Sequence, residues 1–499
     1  MRMLAVLAFF FLADHTHDPA HHADLGNIGK AHIETSCNEP AQKEVDRGLA
    51  LMHSFWYAPA EKTFRGAAEL DADCGMAWWG VAMSTLHPVW AAPTPDEFKT
   101  GKDAAEKAAA TGAKTDREKA YIAAINTYYS GGEDHPARMR AYESAMAKIE
   151  ASYPKDREAA IFHALSLIGI ASPKDKTYAR QKEAAAILNR VLPEEPEHPG
   201  VAHYLIHSFD YPDLAELALP AARVYAKLAP GSPHALHMPS HIFTRLGLWD
   251  EAIASNLASA QKAHEYVERT MPGATAFDEL HAIDYLVYAY LQLGRIDDAR
   301  KLVDKTMAVT KIDNPNQFAA AHAISAVPAR FALERREWKE AAALKVPTII
   351  DWSKVPYAEA NIHFARGIGG ARSNQLDVAR DAAARLAAIQ KALVEQKNME
   401  WADRVEVQRL SVAAWIAQAE EKKDEALKLM RAAADLESST DKHPVTPGAI
   451  IPARELLAEM LLADGKRDDA IAETKRVLHD APGRRNAMRL VEQARVTSP

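Results

Sequence analysis

The sequence predicts an all-α protein whose helices pair and stack into a solenoid. Ala, Leu, Glu, Lys and Arg dominate its 499 residues and only 22 are glycine, a composition that favours helix. An alanine recurs at steps of 34 residues, at Ala184, Ala218 and Ala252. A proline follows twelve residues after two of these alanines, at Pro196 and Pro230, where it ends a helix. A fixed period of this length indicates stacked helical pairs, each covering the apolar face of its neighbour.

The same alanine continues along the chain after less regular steps. It recurs at Ala60, Ala299, Ala341, Ala379, Ala426 and Ala470. Steps after Ala252 range from 38 to 47 residues, so some helices are expected to be longer. The segments LGLWDEAIASN (246–256), LGRIDDARKL (293–302) and DGKRDDAIAETKRVLHDAP (464–482) resemble the tetratricopeptide repeat. The resemblance implies an α-solenoid of tetratricopeptide-like helix-turn-helix repeats whose concave groove holds a small molecule, a peptide or a partner protein.

Five segments follow from these patterns. They are a signal peptide with a His-rich tail (1–22), N-terminal repeats (23–90), an irregular helical segment (91–153), central repeats (154–310) and C-terminal repeats (311–499). The apolar stretch 3–13 is too short to span a bilayer and suits a signal peptide. A frayed apolar terminus is the alternative. We therefore expect a periplasmic or secreted bacterial protein, with the tail (His15, His17, His21 and His22) either capturing metal or acting as a linker.

The two cysteines and the net charge bear on the disulfide state of the protein and on its class of partner. In an exported protein Cys37 and Cys74 are expected to form a disulfide, the alternative being two buried thiols. The formal net charge is −8 and no long basic run occurs, which argues against nucleic acid as a partner. No segment after residue 13 is apolar enough to cross a membrane.

Two histidine pairs are the strongest functional signal. His203 and His207 stand four residues apart, and His237 and His241 repeat that spacing 34 residues later. Side chains at i and i+4 share one face of a helix, so each pair can hold one metal ion. Packed helices lie about 8–10 Å apart. The two pairs can therefore share one ion or hold two close together.

The resemblance also gives a phase for these residues. The recurrent alanine is taken as position twenty of the repeat, and positions two, five and nine then lie on the concave side. His203 and His207 take positions five and nine of one repeat. In the next two repeats positions two, five and nine hold His234, His237 and His241, and then His281, Asp284 and Tyr288. One repeat later the equivalent places hold Ala323, Ala326 and Arg330. The phase therefore predicts a local site confined to three repeats.

Neutral imidazole is a ligand for copper, zinc and iron. Adding Asp284 would give the mixed nitrogen and oxygen set of an open catalytic site. A polar groove for an acidic peptide or small acid, and simple packing, are the alternatives. Asp210, Asp278, Glu279 and Asp284 are candidate general bases, although each could equally be a helix cap or a solvated charge. Pro239, inside the second histidine pair, is expected to remove a backbone hydrogen bond and bend its helix.

A second ligand pocket is predicted near the start of the chain, where His53 and His87 share one repeat position beside Trp79. Packing in the core is the alternative. The sequence contains no serine or cysteine nucleophile motif, phosphate loop or dinucleotide fingerprint. Two functions remain open: an exported solenoid with a transition-metal site that can be catalytic on a small molecule, or an adaptor that grips a peptide or partner protein.

Overall fold

A computed structural model describes residues 25–90, 92–132, 134–315 and 317–496. The predicted signal peptide and His-rich tail lie outside these residues. Within them the chain is helical, and its β pairing is limited to an isolated bridge between Thr275 and Ile312. No helix in this part of the chain combines the length and apolar character needed to cross a membrane.

The first eight helices form four successive pairs. They are α1 (Glu39–His53), α2 (Tyr57–Leu70), α3 (Gly75–Met83), α4 (Pro95–Thr111), α5 (Asp116–Tyr129), α6 (His135–Ser152), α7 (Arg157–Gly169) and α8 (Ala179–Val191). The predicted irregular helical segment, 91–153, contains the helices α4, α5 and α6, which pack in series between α3 and α7. Capping boxes start two of them, pairing Thr94 with Glu97 and Thr115 with Glu118, because these side chains satisfy the free N–H groups of a first helical turn.

The central helices follow the 34-residue period. They are α9 (Pro199–Phe209), α10 (Ala215–Leu228), α11 (Pro233–His237), α12 (Pro239–Arg245), α13 (Trp249–Thr270), α14 (Phe277–Leu293) and α15 (Ile296–Met307). Pro239 divides α11 from α12, since it has no N–H to continue the helical bonding. Two serines of α13 bond carbonyls of α11: Ser255 contacts Leu236, and Ser259 donates to Pro233 at 2.8 Å. The neighbouring helix α13 thus stabilises the backbone where α11 ends and α12 begins.

The C-terminal helices complete the array. They are α16 (Phe318–Glu334), α17 (Trp338–Ala342), α18 (Pro356–Arg372), α19 (Leu376–Glu395), α20 (Met399–Ala419), α21 (Lys423–Ser438), α22 (Ala453–Ala463), α23 (Arg467–Asp480) and α24 (Arg485–Val496). Several helices are longer than the repeat norm, as the long alanine steps predict; α13, α19 and α20 have 22, 20 and 21 residues.

The array closes back on itself through the loop between α21 and α22, residues 439–452. In this loop Asp441 accepts a bond from Lys176 at 2.8 Å and donates its backbone N–H to the Pro173 carbonyl at 3.0 Å. Lys442 reaches Asp210 at the end of α9, at 2.7 Å. These contacts place the 439–452 loop against the central repeats, so part of the concave face is covered by the chain itself.

Cys37 and Cys74 form the predicted disulfide, which ties the start of α1 to the start of α3. The bond closes a loop across 37 positions, for which the chain-entropy relation gives roughly 4 kcal/mol of stabilisation. Replacing both residues, Cys37→Ser with Cys74→Ser, is expected to lower the free energy of unfolding by up to about 4 kcal/mol in urea titrations. Reducing the unmodified protein should produce the same loss. A variant as stable as the oxidised parent would contradict this expectation.

Candidate functional site: two histidine triads

Six buried histidines meet where α9, α11, α12 and α14 pack together. They form two groups of three, and within each group one ring nitrogen of every member lies within 4.8 Å of the others. The first triad is His203, His207 and His234, and the second triad is His237, His241 and His281. The structure thus brings together all six histidines that the repeat phase places on the concave side.

In the first triad, hydrogen bonds orient the ring of His203. Its Nδ1 lies 2.7 Å from the backbone carbonyl of His53, and a carbonyl can only accept, so Nδ1 carries the proton. The Nε2 lone pair of His203 then faces the other two rings. The Nε2 atoms of His207 and His234 lie 3.1 and 3.2 Å from it. Three ring nitrogens therefore converge on one point.

The second triad is oriented by polar partners from other helices. His237 Nδ1 lies 2.7 Å from Asn256 Oδ1, and the Asn256 amide group donates to the Ala252 carbonyl at 2.8 Å, which leaves Oδ1 to accept. His241 Nδ1 lies 3.0 Å from a carboxylate oxygen of Asp210. Both Nδ1 atoms therefore donate. The two Nε2 lone pairs face each other 2.9 Å apart.

These distances fit shared coordination of a metal ion. With metal–nitrogen bonds of about 2.0–2.1 Å, two imidazole nitrogens on one ion lie about 2.9–3.4 Å apart. The two triads are also adjacent: ring centroids are 6.2 Å apart for His207 and His241, and 6.1 Å for His234 and His237. Neighbouring ions in such an arrangement can act together on one substrate.

Burial keeps these imidazoles neutral. It lowers the pKa of His203 to about 3, and burial together with the neighbouring imidazoles holds the pKa of His207, His234 and His237 well below 6.5. The pKa of His281 is lowered in the same way. Metal ligands must be deprotonated, so all of these rings are in the metal-binding form at neutral pH.

Phe55 covers the first triad from the end of α1. Its ring centroid lies 4.3 Å from that of His203, 5.5 Å from His207 and 5.6 Å from His234. The residue has a φ of 51°, a left-handed conformation that glycine usually supplies at this position after a helix. A phenylalanine held there is strained by roughly 1–3 kcal/mol. In this conformation its ring lies against three imidazoles.

Asp210 connects the second triad to the C-terminal repeats. Besides His241, its carboxylate contacts Arg245 at 2.8 Å and Lys442 at 2.7 Å. Burial raises the pKa of Asp210, but these two cations and the bond from His241 outweigh it and hold the pKa well below 3.8. Asp210 is therefore a carboxylate that orients His241, in the way outer residues orient metal-bound histidines.

Asp284 and Tyr288 lie on α14 with His281 but contact other groups. The Asp284 carboxylate faces His322 Nε2 and Arg330 Nε, each at 3.5 Å, and is not a member of either triad. Burial raises its pKa. The structure thus places Asp284 beside the predicted metal ligands and not among them. Tyr288 packs against Trp249 with ring centroids 5.5 Å apart.

His322 extends the polar lining one repeat further than the phase predicts. The irregular step from Ala299 to Ala341 shifts the alignment by one residue, which selects Ala323 in place of its neighbour. Arg330 is fully buried and donates to the Ala449 carbonyl at 2.8 Å, so it holds the 439–452 loop. The phase therefore holds across the 47-residue step to His281 but not across the 42-residue step that follows it.

A further buried group supports the first triad. It contains the predicted residue His53 together with Glu158 and His198, which the sequence reasoning missed. Glu158 accepts from His53 Nε2 and from His198 Nε2, both at 2.8 Å. Burial raises the pKa of Glu158, but the two imidazoles outweigh it and lower this pKa to about 2. Both carboxylate oxygens are used within this group, while the backbone of His53 orients His203. We therefore interpret the group as a support for the first triad.

Of the residues predicted as one ligand pocket, His53 and Trp79 both pack on Phe162, whereas His87 contacts a different ring. His53 belongs to the Glu158 group. His87 packs on Tyr57 with ring centroids 4.4 Å apart. Trp79 is buried in the core, edge-on to Phe162 at 5.5 Å. The alternative of core packing therefore describes Trp79.

A cavity of about 790 Å³ lies beside the second triad. Its walls include parts of α16, α18, α20, α21, α23 and the 439–452 loop, with Arg245 of α12 and Tyr288 of α14 also in the lining. None of the six triad histidines lines the cavity. It is linked to the second triad through Arg245 and Lys442, two lining residues that bond Asp210.

Stacked helical pairs with a 34-residue step decide the fold. It is an α-solenoid of tetratricopeptide-like repeats. No family model and no curated relative matches the sequence. Among solved structures, the chain is similar to the Cut9–Hcn1 hetero-tetramer of the APC/C, at 12% identity over 93% of this chain and 77% of that one, with a TM-score of 0.37. It is also similar to a human IFIT1 dimer with m7Gppp-AAAA, at 12% identity over 93% and 97% of the two chains, with a TM-score of 0.35.

Proposed function

We propose that this protein holds two transition-metal ions, one in each histidine triad, and uses them to act on a small molecule. The facing lone pairs of His237 and His241 carry the proposal. Their Nδ1 protons are committed to Asn256 and Asp210, so two neutral acceptors lie 2.9 Å apart. Tyr285 can donate to His241 Nε2 from 3.3 Å, which leaves the His237 lone pair unmatched. A cation between the two nitrogens removes the repulsion.

Copper is the ion that this donor set favours. All six ligands are neutral imidazoles, whereas catalytic zinc and non-haem iron sites often include a carboxylate. Nitrogen sites also bind Cu²⁺ more tightly than the other divalent ions of the first transition row. Zinc is the second choice and iron the third.

An adaptor function has less support. It requires an open concave groove, and the 439–452 loop covers part of that face through Lys442 and Arg330. Export of the protein, predicted from its first residues, remains a proposal. The disulfide supports it, because disulfides persist in the periplasm and outside cells.

Metal analysis of the purified chain is the direct test. After reconstitution with copper we expect two ions per chain, and copper should displace zinc in competition. His32→Ala is a matched control, because the side chain of His32 is 65% exposed and lies outside both triads; it should keep both ions. Less than about 0.2 equivalents of any transition metal, unchanged by reconstitution, would end the proposal.

A further inference from the structure

The cavity beside the second triad has more basic than acidic side chains in its lining. Seven are Lys or Arg and five are Asp or Glu, whereas the whole chain has 60 basic and 68 acidic residues. One of the five acids, Glu437, accepts a hydrogen bond from the Ala453 backbone N–H at 2.7 Å. Burial raises the pKa of Glu437 to about 7, so it is only partly ionised at neutral pH. The lining is therefore positive in a chain that is negative.

Two buried cations on the triad side of the cavity share one carboxylate. Arg245 Nε donates to Asp210 Oδ1 at 2.8 Å, and Lys442 Nζ donates to Asp210 Oδ2 at 2.7 Å. The side chains of Arg245 and Lys442 are each 10% exposed, and that of Asp210 is 6% exposed. Burial lowers the pKa of Lys442 to about 8, which leaves its ammonium group charged at neutral pH. One positive charge of this group is therefore not matched by Asp210.

Two further cations of the lining are paired with other acids. Lys176 bonds Asp441 at 2.8 Å, and Arg404 bonds Glu400 at 3.0 Å. Each of these pairs adds no net charge, so neither supplies the negative charge that Arg245 and Lys442 lack. A buried charge without a counter-charge is costly. An anion in the cavity would remove that cost.

Arg245 and Lys442 also have hydrogen-bond donors left for a ligand. Arg245 uses Nε for the Asp210 carboxylate and Nη2 for the Asp210 carbonyl, the latter at 2.9 Å. Its Nη1 has no hydrogen-bond partner among the described residues, and it is not one of the enclosed unpartnered atoms. An ammonium group has three N–H donors, and Lys442 directs one of them at Asp210. Arginine and lysine donors of this kind bind carboxylate and phosphate oxygens through short, charge-assisted hydrogen bonds.

An aromatic surface lies close to these two cations. His443 follows Lys442 in the 439–452 loop, and its ring centroid is 5.0 Å from that of Trp401. Trp401 stacks on Tyr357 with ring centroids 4.4 Å apart. Trp401 and Tyr357 are half-buried and line the cavity. A volume of about 790 Å³ falls in the range of small-molecule sites, so one ligand can contact both the cations and this apolar surface.

We infer that this cavity binds a small organic acid, with its carboxylate or phosphate group against Arg245 and Lys442 and its apolar part against Trp401 and Tyr357. The acid group is then two hydrogen bonds from the second triad, because Lys442 bonds Asp210 and Asp210 accepts from His241. That the acid is also the substrate of the metal ions rests on the proposed function. Binding itself depends only on the cavity.

Calorimetric titration with four probes tests this inference. Benzoate and phenyl phosphate carry both the anionic group and a ring, benzamide has the shape of benzoate without its charge, and acetate lacks the ring. We expect at least one of the two aromatic anions to bind about tenfold more tightly than benzamide and acetate, because hydrogen bonds to charged groups contribute about 1.5–3 kcal/mol. Aromatic anions that bind no more tightly than benzamide or acetate, or that do not bind at millimolar concentration, would overturn the inference.

Substitutions of Lys442 locate the acid group. Lys442→Gln should reduce the preference for the aromatic anion over benzamide about tenfold, whereas Lys442→Arg keeps the charge and should keep the preference. Arg245→Gln removes the other cation and should act like Lys442→Gln, which keeps the test available if one variant does not fold. Lys422→Gln is the matched control, because the Lys422 side chain is 58% exposed and lies outside the cavity. An unchanged preference in both glutamine variants, or an equal loss in Lys442→Arg, would contradict the assignment.

The two proposals can fail separately. Anions also bind metal ions directly, so the titrations are run on the full chain as purified and on the chain with both His203→Ala and His237→Ala. Anion binding that persists after metal is lost, with the same dependence on Lys442, supports the cavity whatever the metal does. Binding that disappears with the metal and does not depend on Lys442 would mean that the anion is only a metal ligand, and the inference would be wrong.

Discussion

Combining His203→Ala with His237→Ala is expected to remove most of the bound metal. Each substitution takes one of three nitrogen donors from one triad. Each deleted ring has its Nε2 directed at the triad by a bond from its Nδ1 to a partner outside. Losing an outer partner alone typically weakens metal binding by about 10–100-fold, so loss of the ligand itself should exceed that at both sites. Inductively coupled plasma measurements on the dialysed protein give the stoichiometry.

The single variants distinguish two separate metal sites from one metal site shared by all six histidines. His203→Ala alone should leave one ion in the second triad, and His237→Ala alone should leave one ion in the first. If either single change removes all metal, the six histidines share one ion. Retention of two ions in the double variant would show that the metal binds elsewhere. Far-UV circular dichroism confirms that each variant is folded before its metal content is compared.

Acidifying the metal-free protein from pH 6.5 towards 5 is expected to unfold it. Burial lowers the pKa of all six triad histidines, in His203 to about 3, whereas an unfolded histidine titrates near 6.5. Below pH 6.5 the unfolded state therefore binds more protons, and stability falls as the pH falls. His203 therefore costs about 1 kcal/mol between pH 6.5 and 5.5. The other five histidines add to this loss in the same direction, against a typical domain stability of about 5–15 kcal/mol.

Urea titrations at several pH values measure this slope. In His203→Gln the free energy of unfolding should depend less steeply on pH between pH 6 and 5. The slope should fall by about 1.4 kcal/mol per pH unit, the contribution of one proton, because one buried imidazole no longer titrates. Bound metal should move the transition to lower pH, since protons must displace it. A slope that is unchanged in the variant, or a metal-free protein stable at pH 4, would contradict the assignment of neutral buried rings.

The helical repeat could be predicted because its signals are local. Proline, glycine and small residues at fixed intervals end helices and allow close packing, and the HYLIH and HMPSH spacings put each histidine pair on one helix face. Where the period stays at 34, as between His203 and His237, residues at the same repeat position lie at the same place on successive helical pairs. Across the 42-residue step from Ala299 to Ala341 the phase selects Ala323 and misses His322, although it placed His281 correctly across a step of 47.

The sequence alone therefore determined the solenoid, the disulfide pair and the six histidines on one side of it. Only the tertiary structure decided that these histidines divide into two triads, that Asp284 contacts His322 and Arg330 instead of joining them, and that Glu158 supports the first triad from another repeat. It also decided that Nδ1 carries the proton in His203, His237 and His241. These features depend on contacts between residues as far apart as Asp210 and Lys442, and a local repeat pattern carries no information about which distant side chain completes a buried hydrogen bond.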